Sequence, residues 1–161
     1  MTSYLVMVAK KCTFDSGERF WIAISIAEGL NYLHSLGIVH GDVRTANVLE
    51  LLCILPGQNT HERIKAEKNS GYVDPRFLES EILTKGGDVY SLGIILLELF
   101  TGEMASNHTR NCQLEELCDK EVCRHIAGTR RMVFKCLDAN IRKRPTLEEA
   151  IRLFTKEMDG L

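Results

Sequence analysis

The segment from His40 to Asn47, His-Gly-Asp-Val-Arg-Thr-Ala-Asn, brings an acid, a cation and an amide close together. Asp42 can accept or orient the proton of a hydroxyl group, and the amide oxygen of Asn47 can bind a divalent metal. Arg44, between them, can neutralise phosphate charge. Phosphoryl transfer depends on positioning and electrostatics of this kind more than on covalent help. Asp and Asn are also common turn formers that bond to their own backbone, so the segment alone leaves both interpretations open.

A long helix is predicted immediately before this segment. Asp15 and Glu18 have the spacing of a capping box, although Ser16 could equally be the cap. Gly37 suits the end of the helix because glycine readily adopts the left-handed conformation. Five apolar residues share one helical face: Ala23, Ile26, Ala27, Leu30 and Leu33. This face is expected to pack in the core and to fix the position of the segment that follows.

Short strands are predicted on both sides of the segment. Residues 38–39 form a very short apolar pair before it, and residues 48–55 form an apolar run that Pro56 and Gly57 end. Residues 4–9 also have the composition of a short strand. The segment is therefore predicted to be a loop between two strands.

A second helix is predicted from near Asp88 to Thr101, where Gly102 stops it. Its side chains are apolar nearly all the way round, which is typical of a helix buried in a core. Further helices are predicted near residues 113–126 and 129–138. These patterns predict a mainly α domain of the α+β family, with a central buried helix and a few short strands.

The last helix is predicted to begin at Thr146, which forms a capping box with Glu149. Its apolar stripe contains Leu147, Ala150, Ile151, Phe154 and Met158. This stripe indicates that the helix packs on the core with one face only.

Composition excludes several classes of function. The 161 residues suit one domain, with 45% hydrophobic and 26% charged residues and a net charge of -2. This charge gives no strong field for nucleic acid. The longest apolar stretch, 92–100, contains Glu98 and is far shorter than the roughly 20 residues of a membrane helix. The run 4–9 precedes its lysines, unlike a signal peptide. An intracellular, cytoplasmic location is therefore expected, with no membrane segment in this chain and with a membrane-tethered parent protein as the alternative.

The six cysteines form no Cys-x-x-Cys pair. Cys118, Cys123 and His125 lie close together, but their spacing fits no common zinc module. Reduced, partly buried thiols are expected instead.

The segment 40–47 resembles the catalytic loop of eukaryotic protein kinases, H-R-D-L-x-x-x-N. Other stretches resemble parts of the same family, especially its receptor-like class, and follow the family order. They are residues 26–34 (IAEGLNYLH) before the loop, residues 71–75 (GYVDP) at the end of the activation segment, residues 88–93 (DVYSLG) at the start of the central helix and residues 144–146 (RPT) at the last helix. The resemblance implies the C-terminal lobe of a kinase over residues 14–161, with a remnant of the hinge strand at 1–10.

The resemblance also implies roles for single residues, with ATP and Mg²⁺ as cofactors and a protein substrate or partner kinase as partner. Asp42 would be the catalytic base, Arg44 would face the transferred phosphate, and Asn47 would bind the second magnesium. Leu49 would lie under the adenine. Asp88 would brace the catalytic loop through backbone hydrogen bonds.

The sequence departs from the kinase pattern at several points. It contains no G-x-G-x-x-G, no V-A-I-K-type lysine and no D-F-G, and only 71 − 47 = 24 positions separate Asn47 from Gly71. Gly41 replaces the arginine of the catalytic loop. Arg76 replaces the glutamate of A-P-E that pairs with the arginine matched by Arg144. The two arginines are therefore expected either to face each other, at a cost of at most roughly 3–5 kcal/mol, or to splay apart into solvent.

Three hypotheses about function follow from this resemblance. The chain resembles a receptor-like protein kinase that phosphorylates Ser or Thr, or alternatively Tyr, and is expected to be inactive as an isolated chain. A pseudokinase lobe that binds a protein or serves as a scaffold is the second hypothesis. A truncated product without function is the third.

Overall fold

The computed structural model describes residues 14–45, 47–48, 71–101 and 127–160. Over these residues the fold is helical, which confirms the predicted mainly α class. A 3₁₀ turn, Ile141–Lys143, precedes the last helix. The α-helices are α1 Ser16–Ser35, α2 Pro75–Ser80, α3 Lys85–Thr101, α4 Ala127–Cys136 and α5 Leu147–Asp159.

The described residues contain no strand, so the strand predicted at residues 38–39 was wrong. The Ile38 amide donates to the Leu33 carbonyl at 3.0 Å, and the Gly37 amide donates to the His34 carbonyl at 3.1 Å. These two bonds close α1 in a Schellman motif, with Gly37 at φ 77°. The strand predicted at 4–9, most of the run 48–55, the helix predicted at 113–126 and the cysteine pair at 118 and 123 lie outside the described residues.

Both predicted capping boxes are present. The Glu18 amide donates to Asp15 Oδ1 at 2.8 Å, and the Asp15 amide donates to Glu18 Oε2 at 3.0 Å. The Glu149 amide donates to Thr146 Oγ1 at 3.2 Å, and the Thr146 amide donates to Glu149 Oε2 at 3.0 Å. Each box satisfies amides that the first turn of a helix leaves without intrahelical acceptors, so α1 and α5 begin where their sequences predict.

The central helix, α3, begins at Lys85 rather than near Asp88. Thr84 caps it, because the Gly87 amide donates to Thr84 Oγ1 at 3.0 Å and the Asp88 amide donates to the Thr84 carbonyl at 3.2 Å. The helix is buried on nearly every side, as predicted. Since Thr84 provides the cap, the carboxylate of Asp88 is available to another part of the fold.

The hydrophobic core joins α1, α3 and α5 through aromatic side chains. Phe20 lies 5.4 Å from Phe100 and 6.3 Å from Phe154, measured between ring centroids, and all three rings are buried. The apolar faces predicted for α1 and α5 point into this core, and α1 packs most extensively against α5. This packing holds the end of α1, and therefore residues 40–47, against α3.

The helix α4 approaches α3 closely at Gly93. A Cβ atom at this position would lie 2.7 Å from the Cβ of Cys136 and 2.9 Å from Cδ2 of Leu137. Glycine is therefore required here by the short distance between two helices. Within the described ranges, no helix is both long and apolar enough to cross a membrane.

Candidate active site

The acid and the amide of the loop segment are in direct contact. Asn47 Nδ2 donates to Asp42 Oδ2 at 2.9 Å and to the Asp42 carbonyl at 3.0 Å. Arg44 Nε lies 3.3 Å from the same carboxylate oxygen, Oδ2. The Asp42 side chain is 4% exposed and that of Arg44 is 27% exposed. The structure therefore brings together the acid, the cation and the amide that the sequence selected.

Buried valines directly after Asp42 and directly after Asn47 anchor the loop. Val43 and Val48 are each 1% exposed and belong to the hydrophobic core. Because these side chains point into the core, the loop backbone between them is held against the body of the domain. Burial of apolar side chains thus positions the polar ones.

Asp88 fastens the start of the loop to the central helix. Its Oδ2 accepts from the His40 amide at 2.9 Å, and its Oδ1 accepts from the Gly41 amide at 2.8 Å. His34 Nε2 also lies 2.8 Å from Asp88 Oδ2. The carboxylate is 2% exposed, so these hydrogen bonds replace the water it has lost. The geometry supports the bracing role expected for Asp88.

Gly41 occupies a backbone conformation that other residues rarely adopt. Its φ is 78°, and a Cβ atom there would lie 2.8 Å from Cδ1 of Leu83. The left-handed region costs a residue with a side chain roughly 1–2 kcal/mol. Glycine in place of the family's arginine therefore suits the local backbone of this loop.

A buried hydroxyl connects the loop to the middle of α3. Tyr72 Oη lies 2.9 Å from Thr45 Oγ1 and donates to the carboxylate of Glu98, with both oxygens at 2.7 Å. Ser91 Oγ in turn donates to the Tyr72 carbonyl at 2.8 Å. Burial is the main cause that raises the pKa of Tyr72 above its usual range. Tyr72 thus stays protonated and can donate to Glu98, which lies within the apolar run 92–100 of α3.

The two arginines expected to face each other do not do so. Arg144 forms an ion pair with Asp74 instead. The side chain of Arg144 is 1% exposed and that of Asp74 is 5% exposed. Arg144 also donates to the Gly86 carbonyl at 2.7 Å, and its guanidinium lies 5.1 Å from the ring centroid of Tyr90. The expected repulsion was wrong because an aspartate two positions earlier provides the negative charge, while Arg76 lies exposed on α2.

The loop fits one metal position in part. The amide nitrogen of Asn47 is used by Asp42, so its oxygen is the atom that would face a cation. Magnesium prefers oxygen ligands and usually keeps several waters and phosphate oxygens. The described residues include no group of three or more His, Cys, Asp or Glu side chains that could hold a metal. Asn47 would thus hold a magnesium ion only together with ligands from the nucleotide and water.

One predicted site residue is not described by the structure, and two contacts around the loop were not predicted. Leu49, expected under the adenine, lies outside the described residues. The contacts of His34 with Asp88 and of Tyr72 with Glu98 were not predicted. A buried acid within an apolar run of a helix requires a donor, so Glu98 was the signal that could have pointed to Tyr72.

Comparisons with known proteins agree with the geometry. The sequence model described as protein tyrosine and serine/threonine kinase matches residues 1–154. The LRR receptor-like serine/threonine-protein kinase ERL1 of Arabidopsis thaliana is 30% identical over 94% of this chain and 19% of its own length. The LEAF RUST 10 disease-resistance locus receptor-like protein kinase-like 1.4 of the same plant is 29% identical over 84% of the chain and 26% of its own length. The chain thus spans about a fifth to a quarter of the length of these relatives.

Proposed function

The chain belongs to the protein tyrosine and serine/threonine kinase family, and on that premise we propose that its loop serves phosphoryl transfer from Mg-ATP to a protein hydroxyl. The observation that carries the proposal is the contact between Asp42 and Asn47, with Nδ2 and Oδ2 2.9 Å apart in a buried loop. A catalytic acid and a metal ligand must be held in fixed relative positions for this chemistry.

Each residue of the loop has a distinct proposed role. Asp42 accepts or orients the proton of the attacking hydroxyl. Asn47 offers its amide oxygen to magnesium, and Arg44 balances charge on the transferred phosphoryl group. Mg-ATP, when bound, would supply that group, and its magnesium would neutralise the charge that develops on the group. Leu49 is proposed to contact the adenine on the strength of the resemblance alone.

The proposed acceptor is a serine or threonine hydroxyl. The curated relatives are named receptor-like serine/threonine kinases, and the stretch around Asp74 and Pro75 resembles that class. The Arg44-Thr45-Ala46 sequence also resembles the loop of tyrosine kinases. We therefore propose Ser/Thr phosphorylation, with Tyr as the alternative to be tested with peptides of each kind.

A second proposed function is protein binding without phosphoryl transfer. The chain contains no aspartate between Asn47 and Asp74, so no D-F-G aspartate stands there to bind a first magnesium. The loop is nevertheless ordered by Asp88, and the core around it is intact. These observations favour a pseudokinase lobe that keeps its fold and docks on another protein, while the chain by itself transfers no phosphate.

The test is a thermal melt of the purified chain with and without Mg-ATP. A ligand at 100 times its dissociation constant adds roughly 2.7 kcal/mol to the stability of the folded state. We expect wild type to gain stability, Asn47→Ala to lose this gain, and Asp42→Asn to keep it because Asp42 acts on the acceptor rather than on the nucleotide. If all three proteins melt cooperatively at temperatures that Mg-ATP does not change, nucleotide binding is rejected and the protein-binding function remains.

A further inference from the structure

Basic side chains are concentrated in one short stretch of a chain whose overall charge is negative. Residues 130–144 contain six Arg or Lys residues and one acid, Asp138, so this stretch carries 6 − 1 = +5, whereas the whole chain carries -2. The carboxylate of Asp138 accepts from the Asn140 amide at 2.7 Å and is thus used within its own turn. Most of the positive charge of this stretch is therefore not compensated within it.

Two of these cations share the outer face of α4 with an aromatic ring. Arg131, Phe134 and Lys135 have the i, i+3, i+4 spacing that places side chains on one side of a helix, and all three are exposed. Phe134 is 37% exposed, and the guanidinium of Arg130 lies 5.6 Å from its ring centroid. The opposite face of α4 packs in the hydrophobic core. The helix thus presents cations and an aromatic ring to solvent.

Arg142 and Lys143 extend this surface beyond the end of α4. The Asp138 amide donates to the Lys135 carbonyl at 3.3 Å, and the Lys143 amide donates to the Asn140 carbonyl at 2.9 Å. These two turns keep the 3₁₀ turn close to the last turn of α4. Both basic residues are exposed, so they add their charge to that of the helix.

Among the described residues, none of the four exposed cations has an acidic partner. They are Arg131, Lys135, Arg142 and Lys143. The buried Arg144, in contrast, forms its ion pair with Asp74. The four cations line neither the cavity beside Asp42 nor the groove beside Trp21. An anionic partner of this surface must therefore be broad rather than a small group held in a pocket.

We propose that this surface, here named the α4 basic face, docks on an anionic lipid bilayer. It consists of Arg131, Phe134, Lys135, Arg142 and Lys143. A bilayer with acidic lipids is broad, and each Lys or Arg near it strengthens binding by roughly fivefold. Phe134 suits the boundary between lipid headgroups and acyl chains. A soluble acidic ligand would use the charges but would offer the exposed ring no apolar environment. The inference does not depend on the proposed phosphoryl transfer.

The probes are vesicles of phosphatidylcholine alone and vesicles of phosphatidylcholine mixed with phosphatidylserine. Sedimentation of the purified chain with increasing lipid gives the partition coefficient. The variants are Arg131→Gln/Lys135→Gln and Phe134→Ala. Arg152→Gln/Lys156→Gln is the matched control, because it removes the same charge from exposed positions of α5. Thermal melts show that each variant is folded.

Wild type should bind the acidic vesicles with a partition coefficient on the order of 10³ M⁻¹, as expected for four cations, and should not sediment with phosphatidylcholine alone. Arg131→Gln/Lys135→Gln should lower this coefficient by about 20- to 30-fold. Phe134→Ala should lower it by about three- to tenfold, and Arg152→Gln/Lys156→Gln by less than about twofold because salt screens charges that lie away from the bilayer.

The inference is overturned if wild type sediments with neither kind of vesicle or binds both kinds equally. It is also overturned if Arg152→Gln/Lys156→Gln lowers binding as much as Arg131→Gln/Lys135→Gln does. A soluble acidic peptide and a single-stranded RNA, each carrying a fluorophore, are titrated in parallel. If either binds at lower concentrations than the acidic vesicles, with the same loss in Arg131→Gln/Lys135→Gln, the α4 basic face serves that ligand and the bilayer is rejected.

Discussion

Arg144 and Asp74 form a buried ion pair that joins the residues before α5 to the start of α2. Asp74 also caps α2, because its Oδ1 accepts from the Arg76 amide at 3.0 Å. One carboxylate thus neutralises a buried guanidinium and begins a helix. The pair replaces the glutamate–arginine contact of the kinase family, and it releases position 76 from a structural role.

We predict that Asp74→Ala lowers the free energy of unfolding by about 3–5 kcal/mol, because it leaves Arg144 buried without a negative partner. Asp74→Asn should cost less than Asp74→Ala, since asparagine can still cap α2. Urea unfolding measures both changes. Arg76→Ala is the matched control and should change stability by less than about 0.5 kcal/mol, as an exposed substitution. Equal losses for Asp74→Ala and Arg76→Ala would show that the buried pair does not stabilise the fold.

Tyr72→Phe removes the hydroxyl that donates to Glu98. We expect a loss of about 1–3 kcal/mol, because the buried carboxylate loses a donor. When Tyr72→Phe is introduced into Glu98→Gln instead of wild type, the loss of stability should be smaller. The reason is that the neutral amide of glutamine is less costly to bury without this donor. A double-mutant cycle measured by chemical unfolding gives the coupling. A coupling energy near zero would contradict the role assigned to the hydroxyl.

The same tyrosine predicts a dependence on alkaline pH. Because burial raises the pKa of Tyr72 above its ordinary value, the folded state binds the phenolic proton more tightly than the unfolded chain does. This contribution to stability is complete below about pH 10 and is lost as the pH rises through the raised pKa. Wild type should therefore lose more stability than Tyr72→Phe between about pH 9 and about pH 11. If urea unfolding shows that wild type and Tyr72→Phe lose the same stability over this pH range, the prediction is wrong.

Gly93→Ala should destabilise the protein although alanine favours helices. The new methyl group would collide with Cys136 at the end of α4 and with Leu137 directly after it, and overpacking of this kind costs about 1–3 kcal/mol. Gly87→Ala, also in α3, is the control, because its Cβ would meet only Thr84 Oγ1 at an ordinary 3.4 Å. Thermal unfolding should show a lower midpoint for Gly93→Ala and an unchanged or higher one for Gly87→Ala. The opposite order would mean that α4 does not approach α3 this closely.

Asp88→Ala should release the start of the loop while most of the core persists. The amides of His40 and Gly41 donate to Asp88, so their hydrogen exchange should accelerate strongly in the variant. The capping amides of Glu18 and Glu149 are distant controls and should keep their exchange rates. Unchanged exchange at positions 40 and 41 would exclude the bracing role of Asp88. Exchange measured by NMR resolves these four amides.

The sequence determined the features that depend on local patterns. The capping boxes at Asp15 and Thr146 follow from hydrogen bonds between residues three positions apart, and the buried faces follow from helical periodicity. The grouping of Asp42 and Asn47 was also predictable, because both belong to one short loop. For these features the interacting groups are neighbours in the chain, and residue type with spacing is enough to identify them.

Only the tertiary structure decided which distant groups meet. Asp74 and Arg144 are 70 positions apart, and Tyr72 and Glu98 are 26 apart, so no periodic pattern connects them. The family resemblance placed Arg76 opposite Arg144, whereas the fold placed Asp74 there. The reason is physical: a buried charge needs whichever opposite charge packing brings within reach, and packing is set by the whole core rather than by any local segment.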